Sequence, residues 1–400
     1  MRIRDVTISA FEVDTVTPLI DMARVGHGSA ARWHPRHGSG GATWWRRHAV
    51  AAPPGGDGAG RQTEPIQVMH VLTDDGLEGV CTVGDVRYRV MTERELAQLR
   101  ELVVGEDAAD REGLDAKLHR AARFAFTRPG WAGAFDNCLW DIAGKAAGVP
   151  VADLIGRARP ACPAYYNSAG TTAEEAVEDS LRALAAGFTA VKDHFAAGAA
   201  ENCRWFAAVR RAVGPDTALM HDAAENGYTY AEALRVGRAL EEHGFLWFEE
   251  PLSDRDHAGL RRLCQELTVP VLAPETLMHD RELCAQWLTS GAVDMLRGNA
   301  RHGVTPLLRL ARLARERGTT VELNGPGGLF GIVHAHLCCA IGNTRYYEYF
   351  PGGSRDEAGK EIGLLNPAVP AGGNISPPAG PGWGAEWDWP YFLRRRVAVL

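Results

Sequence analysis

Between Gly187 and Glu275, short apolar runs that end on carboxylates alternate with longer amphipathic stretches. The runs read AVKDHF, TALMHD, FLWFEE and PVLAPE; they place Asp222, Glu249 and Glu275 at the ends of the later three and Lys192 and His194 near the end of the first. Runs of this length, rich in β-formers, read as strands, and stretches such as TYAEALRVGRALEEH between them read as helices with one apolar face. Gly187, Gly214 and Gly244 stand before the first three runs as helix stops, and Gly291 and Gly318 repeat the punctuation. A glycine at every βα interval is what a (β/α)8 barrel looks like in one dimension.

The same alternation places the remaining barrel strands. The first is expected at ACPAYYNSAG, the sixth at VDMLRGN (293–299), the seventh at TTVELN (319–324) and the eighth at YYEYF (346–350). Asn167, Ser168, Arg297, Asn299, Asn324 and Glu348 then fall at or near the C-terminal ends, where parallel strands bring distant residues to one mouth. Upstream the pattern differs. Residues 1–17 alternate like a strand, 66–84 like a hairpin turning at Asp74, Asp75 and Gly76, and helices are expected over 91–105, 109–124 and 130–147. Strands followed by helices make this an α+β domain. The expected division is therefore 1–158 for the α+β domain, 159–350 for the barrel and 351–400 for a Pro- and Gly-rich tail that returns to the first domain, its final VAVL pairing or docking there. Residues 24–62 carry almost no periodicity. Such a loop is either a functional lid or a segment without fixed structure; Trp44, Trp45, Arg46 and Arg47 suit a lid over an anionic ligand, while the spacing of His27, His34 and His37 matches no zinc pattern.

Composition narrows the function. With 46% hydrophobic and 23% charged residues and a net charge of −7, the chain is globular and offers no large basic surface for nucleic acid. No apolar run reaches membrane-spanning length, the start alternates like a strand, and the eight cysteines lack CxxC spacing, so a cytoplasmic protein with reduced core thiols is expected.

Any one of the three strand-end acids alone reads as a helix cap or a loop charge. Three in register, beside a lysine and a histidine, read as a cation site: adjacent carboxylates repel unless a divalent ion neutralises them, and all-oxygen ligation points to Mg²⁺. Lys192 and His194, spaced i, i+2, share one face of their strand and lie next to that site. Neighbouring cations are expected to lower each other's pKa and so favour a neutral base, suited to removing the proton α to a carboxylate.

These residues carry a family resemblance over nearly the full length. GWAGAFDNCLWDIAGKAAGVPVADLIG, GFTAVKDH, LMHD, LWFEEP, VLAPE and the closing RRRVAVL resemble the enolase superfamily, and within it the mandelate racemase-like subgroup. The resemblance implies an α/β fold, a modified TIM barrel of (β/α)7β type with an N-terminal α+β capping domain, and an essential Mg²⁺ on Asp222, Glu249 and Glu275. It implies Glu249 rather than Glu250 as ligand, His194 as the acid/base supported by Lys192, and Glu348 in contact with the substrate carboxylate. Asn299 and Asn324 stand where the subgroup usually has an Asp and a His that form a second base; they are expected, with Asn167, to bind substrate.

The expected activity is that of a lyase, a Mg²⁺-dependent dehydratase of a small polyhydroxy carboxylate such as an acid sugar. It would work by α-proton abstraction, a metal-stabilised enediolate and loss of the β-hydroxide. The alternatives are a racemase or epimerase, a lactone cycloisomerase, or a metal-dependent binding protein that has lost catalysis. The partner is a small carboxylate rather than nucleic acid or membrane, and a homo-oligomer is expected.

Overall fold

The structure, a computed structural model, describes residues 1–15, 62–83, 91–122, 131–170, 172–224, 227–325, 328–351 and 359–400. The expected lid lies outside the described residues except for Gln62 at its end, and so do Trp44, Trp45, Arg46 and Arg47.

The N-terminal layer is an antiparallel sheet of β1 (Ile3–Thr15), β2 (Gln62–Thr73) and β3 (Glu78–Thr82). Helices α1 (Glu93–Val103), α2 (Arg111–Ala122) and α3 (Trp131–Ala147) follow, and the short α4 (Val151–Ile155) leads out of the layer. α1 begins with a reciprocal Thr92–Glu95 capping box, which satisfies two helix-end N–H groups. Twelve of the seventeen residues of α3 are buried, in keeping with a helix that is apolar on more than one face. At the far end of the chain, α12 (Trp389–Arg395) leads to β13 (Ala398–Val399), which pairs antiparallel with β1 through Ser9 and Val399.

The barrel strands are β4 (Cys162–Asn167), β5 (Ala190–Asp193), β6 (Ala218–Asp222), β7 (Phe248–Glu249), β8 (Val271–Ala273), β9 (Met295–Gly298), β10 (Val321–Leu323) and β11 (Tyr347–Tyr349). Seven helices alternate with them: α5 (Ala173–Ala185), α6 (Ala199–Val213), α7 (Tyr230–Glu242), α8 (His257–Glu266), α9 (Arg281–Thr289), α10 (Val304–Glu316) and α11 (Gly328–Ala340). The order β10-β9-β8-β7-β6-β5-β4-β11 is parallel throughout, and β12 (Asn374–Ile375) adds antiparallel to β4. This is a (β/α)7β barrel whose sheet curls on itself. Where β10 and β11 approach, the Arg345 N–H donates to Glu322 Oε2 at 3.0 Å rather than into a ladder. The helix-stop glycines do what their place in the pattern required: Gly214 and Gly318 sit at φ 79° and 71°, conformations a side chain disfavours.

All eight cysteines are free, six of them buried. Among the described residues no helix is long and apolar enough to cross a membrane.

Candidate active site

Strand periodicity builds the site in storeys. Side chains two residues apart share a face, so most inward rows run from an apolar residue to a polar one. Tyr165, Ala190, Met220, Trp247, Leu272 and Met295 form an apolar plug inside the barrel. One step toward the C-terminal ends come Asn167, Lys192, Asp222, Glu249, Arg297 and Glu348, all buried, and a further step brings His194, Asn299 and Asn324.

The polar floor closes on itself. Lys192 Nζ lies 3.0 Å from Glu249 Oε2 and 2.7 Å from Glu348 Oε1, while Arg297 Nε lies 2.8 Å from Glu249 Oε1 and its Nη2 3.0 Å from Glu348 Oε2. Each acid gives one oxygen to each cation, so the four side chains form a ring of alternating charge with Lys192 0% and Arg297 1% exposed. Tyr165 OH accepts from Arg297 Nη2 at 3.2 Å, and Trp247 Nε1 donates to Glu249 Oε2 at 3.3 Å.

This arrangement corrects the expectation that a neighbouring cation lowers the pKa of Lys192. Burial disfavours its ammonium, but Glu249, Glu348, Tyr165 and Asp222 outweigh burial and hold its pKa well above the ordinary lysine value. Lys192 is a fixed positive charge. Glu348 is likewise committed: burial is overcome by Lys192 and Arg297, which hold its carboxyl well below the usual range. Asn167 Nδ2 also donates to its Oε1 at 3.3 Å, and the Gly325 N–H donates to Oε2. With two donors on each oxygen, Glu348 has no lone pair left for a substrate; it braces the floor instead.

Above the floor, Lys192 and His194 do share a face. Lys192 Nζ and His194 Nε2 each lie 3.1 Å from Asp222 Oδ2. Glu275, partly exposed, reaches Arg297 Nε at 3.5 Å. Arg297 and Lys192 thus stand between the three acids, and among the described residues no group of three or more His, Cys, Asp or Glu side chains is drawn together as a ready-made metal cage.

The donor chemistry still fits a hard cation. When ionised, Asp222, Glu249, Glu275 and Glu348 outnumber Lys192 and Arg297 by two charges. The shortage of positive charge is visible. Burial pushes the Glu249 pKa up to about 8 against Arg297, with Asp222 adding to the rise and Lys192 opposing it. Burial, then Asp254, Glu275, Asp222 and Glu249, raise Glu250 well above the carboxylate range, and its buried Oε1 has no hydrogen-bond partner. The backbone is strained at the same places: Ala224, two residues after Asp222, and Glu250, directly after Glu249, both have positive φ (47° and 43°) without being glycine. All-oxygen donors two charges short of neutrality suit Mg²⁺.

The opposite wall presents two carboxamides. Asn299 caps the turn after β9, its Oδ1 accepting from the Arg301 N–H at 2.8 Å, and its Nδ2 donates to Asn324 Oδ1. Asn324 Nδ2 is buried and has no partner. The wall is stapled from behind, where the Ala300 N–H donates to His334 Nε2 at 2.9 Å. From the capping layer, Asn137 Nδ2 donates to the Ala300 carbonyl at 2.9 Å, and Thr305 Oγ1 bonds Asp136 Oδ1 at 2.6 Å. A Cβ at Gly133 would fall 1.8 Å from the Arg301 carbonyl oxygen, so α3 can approach this turn only with glycine there.

Of the residues singled out in the sequence, the strand ends bring Asn167, Lys192, His194, Asp222, Glu249, Glu275, Asn299, Asn324 and Glu348 into this one region. Arg297 was legible only as a polar residue near the mouth. Its spacing of two from Asn299 was the signal that it points inward, but nothing local showed that it would cross to β7 and β11.

Comparison with known proteins agrees with this architecture. Residues 52–156 match the mandelate racemase / muconate lactonizing enzyme N-terminal domain, and residues 175–391 match the enolase C-terminal domain-like family. The chain belongs to the mandelate racemase-like subgroup of the enolase superfamily. It is 28% identical over 378 residues to a D-galactonate dehydratase family member of Catenulispora acidiphila, covering 86% of this chain and 85% of the relative. Against an L-talarate/galactarate dehydratase of Salmonella typhimurium it is 29% identical over 309 residues, 73% of this chain and 75% of that one. A crystal structure of D-glucarate dehydratase from Agrobacterium tumefaciens complexed with magnesium superposes over 100% of both chains with a TM-score of 0.81 and 27% identity.

Proposed function

We propose that this protein is a Mg²⁺-dependent acid-sugar dehydratase that works from one face of its substrate. The observation that carries the reading is the asymmetry of the mouth. β5 leads to an imidazole beside a charged lysine, whereas the ends of β9 and β10, beyond three intervening strands, present the carboxamides of Asn299 and Asn324 above the floor.

Asp222, Glu249 and Glu275 would hold the ion, whose positive charge would steady the substrate carboxylate and make its α-proton more acidic. His194 takes that proton. Lys192 and Arg297 hold two positive charges in the floor next to the carboxylate as negative charge builds, without reorganising. The imidazolium then returns its proton to the departing β-hydroxyl on the same face; water leaves, and the resulting enol becomes a 2-keto-3-deoxy acid. Asn324 cannot accept and release a proton near neutral pH, so it cannot serve as the second base that racemisation needs. The substrate class comes from the relatives named as dehydratases of galactonate, talarate/galactarate and glucarate. The free thiols support a reducing, cytoplasmic compartment.

The test is solvent deuterium exchange across a panel of acid sugars with Mg²⁺. A keto acid product is expected, with His194→Asn losing a hundredfold or more of exchange, about the scale of one general base, while Mg²⁺ still binds by calorimetry. Deuterium entering both epimers of a 2-hydroxy acid, or full activity in His194→Asn, would overturn the reading.

A further inference from the structure

The Asn299–Asn324 pair has a defined polarity, and the polarity comes from the backbone. In a carboxamide, oxygen and nitrogen are interchangeable by rotation, so its orientation has to be read from partners that can only donate or only accept. The Arg301 N–H, 2.8 Å from the Asn299 side chain, can only donate. Asn299 must therefore turn Oδ1 toward Arg301 and Nδ2 toward Asn324, and Asn324 must answer with Oδ1. What remains is Asn324 Nδ2, 1% exposed as a residue and without a hydrogen-bond partner. A buried amide that leaves a donor unpaired is costly unless a ligand supplies the acceptor.

We propose that Arg301 N–H, Asn299 and Asn324 form a polarity relay that makes the β9–β10 wall a pure hydrogen-bond donor, so that this enzyme selects substrates carrying an acceptor oxygen on the face opposite His194. Asn324 is the residue that contacts the substrate, and Asn299 is a positioning residue that acts through it. This deepens the dehydratase reading, on which it rests for the site and the substrate class. The structure holds the relay rigidly. The turn that supplies the Arg301 N–H is fixed by Asn137, Asp136 and the close approach of Gly133, and the Ala300 N–H is tied to His334.

The relay can be reversed without touching the ligand. In Asn299→Asp both carboxylate oxygens accept: one still takes the Arg301 N–H, and the other requires a donor from Asn324. Asn324 must then rotate and show Oδ1 to the ligand. The probes are six-carbon aldonates and aldarates, each paired with analogues in which one hydroxyl is replaced by fluorine, an acceptor only, or by an ammonium group, a donor only. Binding is read by calorimetry in Mg²⁺, with KM and kcat measured separately on any probe that turns over. For the hydroxyl that meets Asn324, the wild type is expected to prefer fluorine over ammonium and Asn299→Asp to invert that order. Asn324→Ala should lose the discrimination and weaken binding roughly ten- to a hundred-fold, the scale of one buried hydrogen bond, with kcat less affected. If Asn299→Asp is misfolded by circular dichroism, Asn324→Asp serves instead, since it removes the donor directly and should reject the fluoro analogue. An unchanged analogue order in a folded Asn299→Asp or Asn324→Asp protein would overturn the relay. Failure of every probe to turn over, with the inversion still seen in binding, would overturn the dehydratase reading and leave the relay standing.

Discussion

On the floor of the barrel mouth Lys192, Glu249, Arg297 and Glu348 each meet at least two opposite charges, whereas on the β9–β10 wall Asn299 and Asn324 pass a single hydrogen bond between neutral amides. Both regions are buried and fully inside the barrel. The floor pairs its charges internally but is short of net positive charge and leaves Arg297 Nη1 without a hydrogen-bond partner; the wall's two amides carry no charge and end on an open donor. A buried charge is tolerated when it is paired from several sides, and a buried amide when its chain of donors and acceptors terminates on something. The floor is thus a scaffold that resists change, and the wall is where a ligand is read.

If that contrast is right, the largest effect belongs to the floor. Arg297→Met should destabilise the protein by about 3 kcal/mol or more, because it removes one partner from two buried acids at once. Urea unfolding in EDTA measures it, with Asn299→Ala as the wall's counterpart, expected to cost about 1 kcal/mol. Equal losses would erase the distinction between the two regions.

Acid should separate them next. Burial, aided by Arg301, lowers the His334 pKa from 6.5 to about 3, so the folded wall holds a neutral imidazole while the unfolded chain protonates near 6.5. Its contribution is therefore intact above pH 6.5 and declines as the pH falls toward 3, by about 1.4 kcal/mol per pH unit for one proton. Glu348 shifts the opposite way relative to its charge state: held well below its ordinary value of 4.5, it keeps its contribution until the pH drops below that value. Between pH 6.5 and 5 the wall should loosen while the floor does not. Hydrogen exchange at the Ala300 amide, which donates to His334, would speed up in that window, and His334→Gln should flatten the dependence. Exchange independent of pH, after correction for intrinsic rates, would contradict this.

The cation gives a third test. Mg²⁺ at a hundred times its dissociation constant should raise stability by about 2.7 kcal/mol through mass action. Asp222→Asn should abolish the gain, while Asn324→Ala should leave it unchanged. A gain that survives Asp222→Asn would move the ion away from the floor.

The amino-acid sequence by itself determined the barrel and the direction of its open end. Helix-stop glycines, carboxylates on successive strands and the i, i+2 pair Lys192–His194 are local patterns, and periodicity of two settles which side chains share a face. All eight barrel strands formed where the apolar runs placed them, and the C-terminal Ala398–Val399 returned to β1. The tertiary structure alone decided the state of those side chains. Lys192 reads from its neighbours in sequence as a group whose pKa a nearby histidine would lower, but in the barrel it meets Glu249 and Glu348 from strands β7 and β11, which raise it. Arg297 lies 48 positions from Glu249 and 51 from Glu348, yet sits between them. The orientation of Asn324 depends on a backbone N–H at Arg301. Charge state and hydrogen-bond polarity are set by partners within about 3 Å, and in a closed parallel barrel those partners come from strands that no local pattern connects.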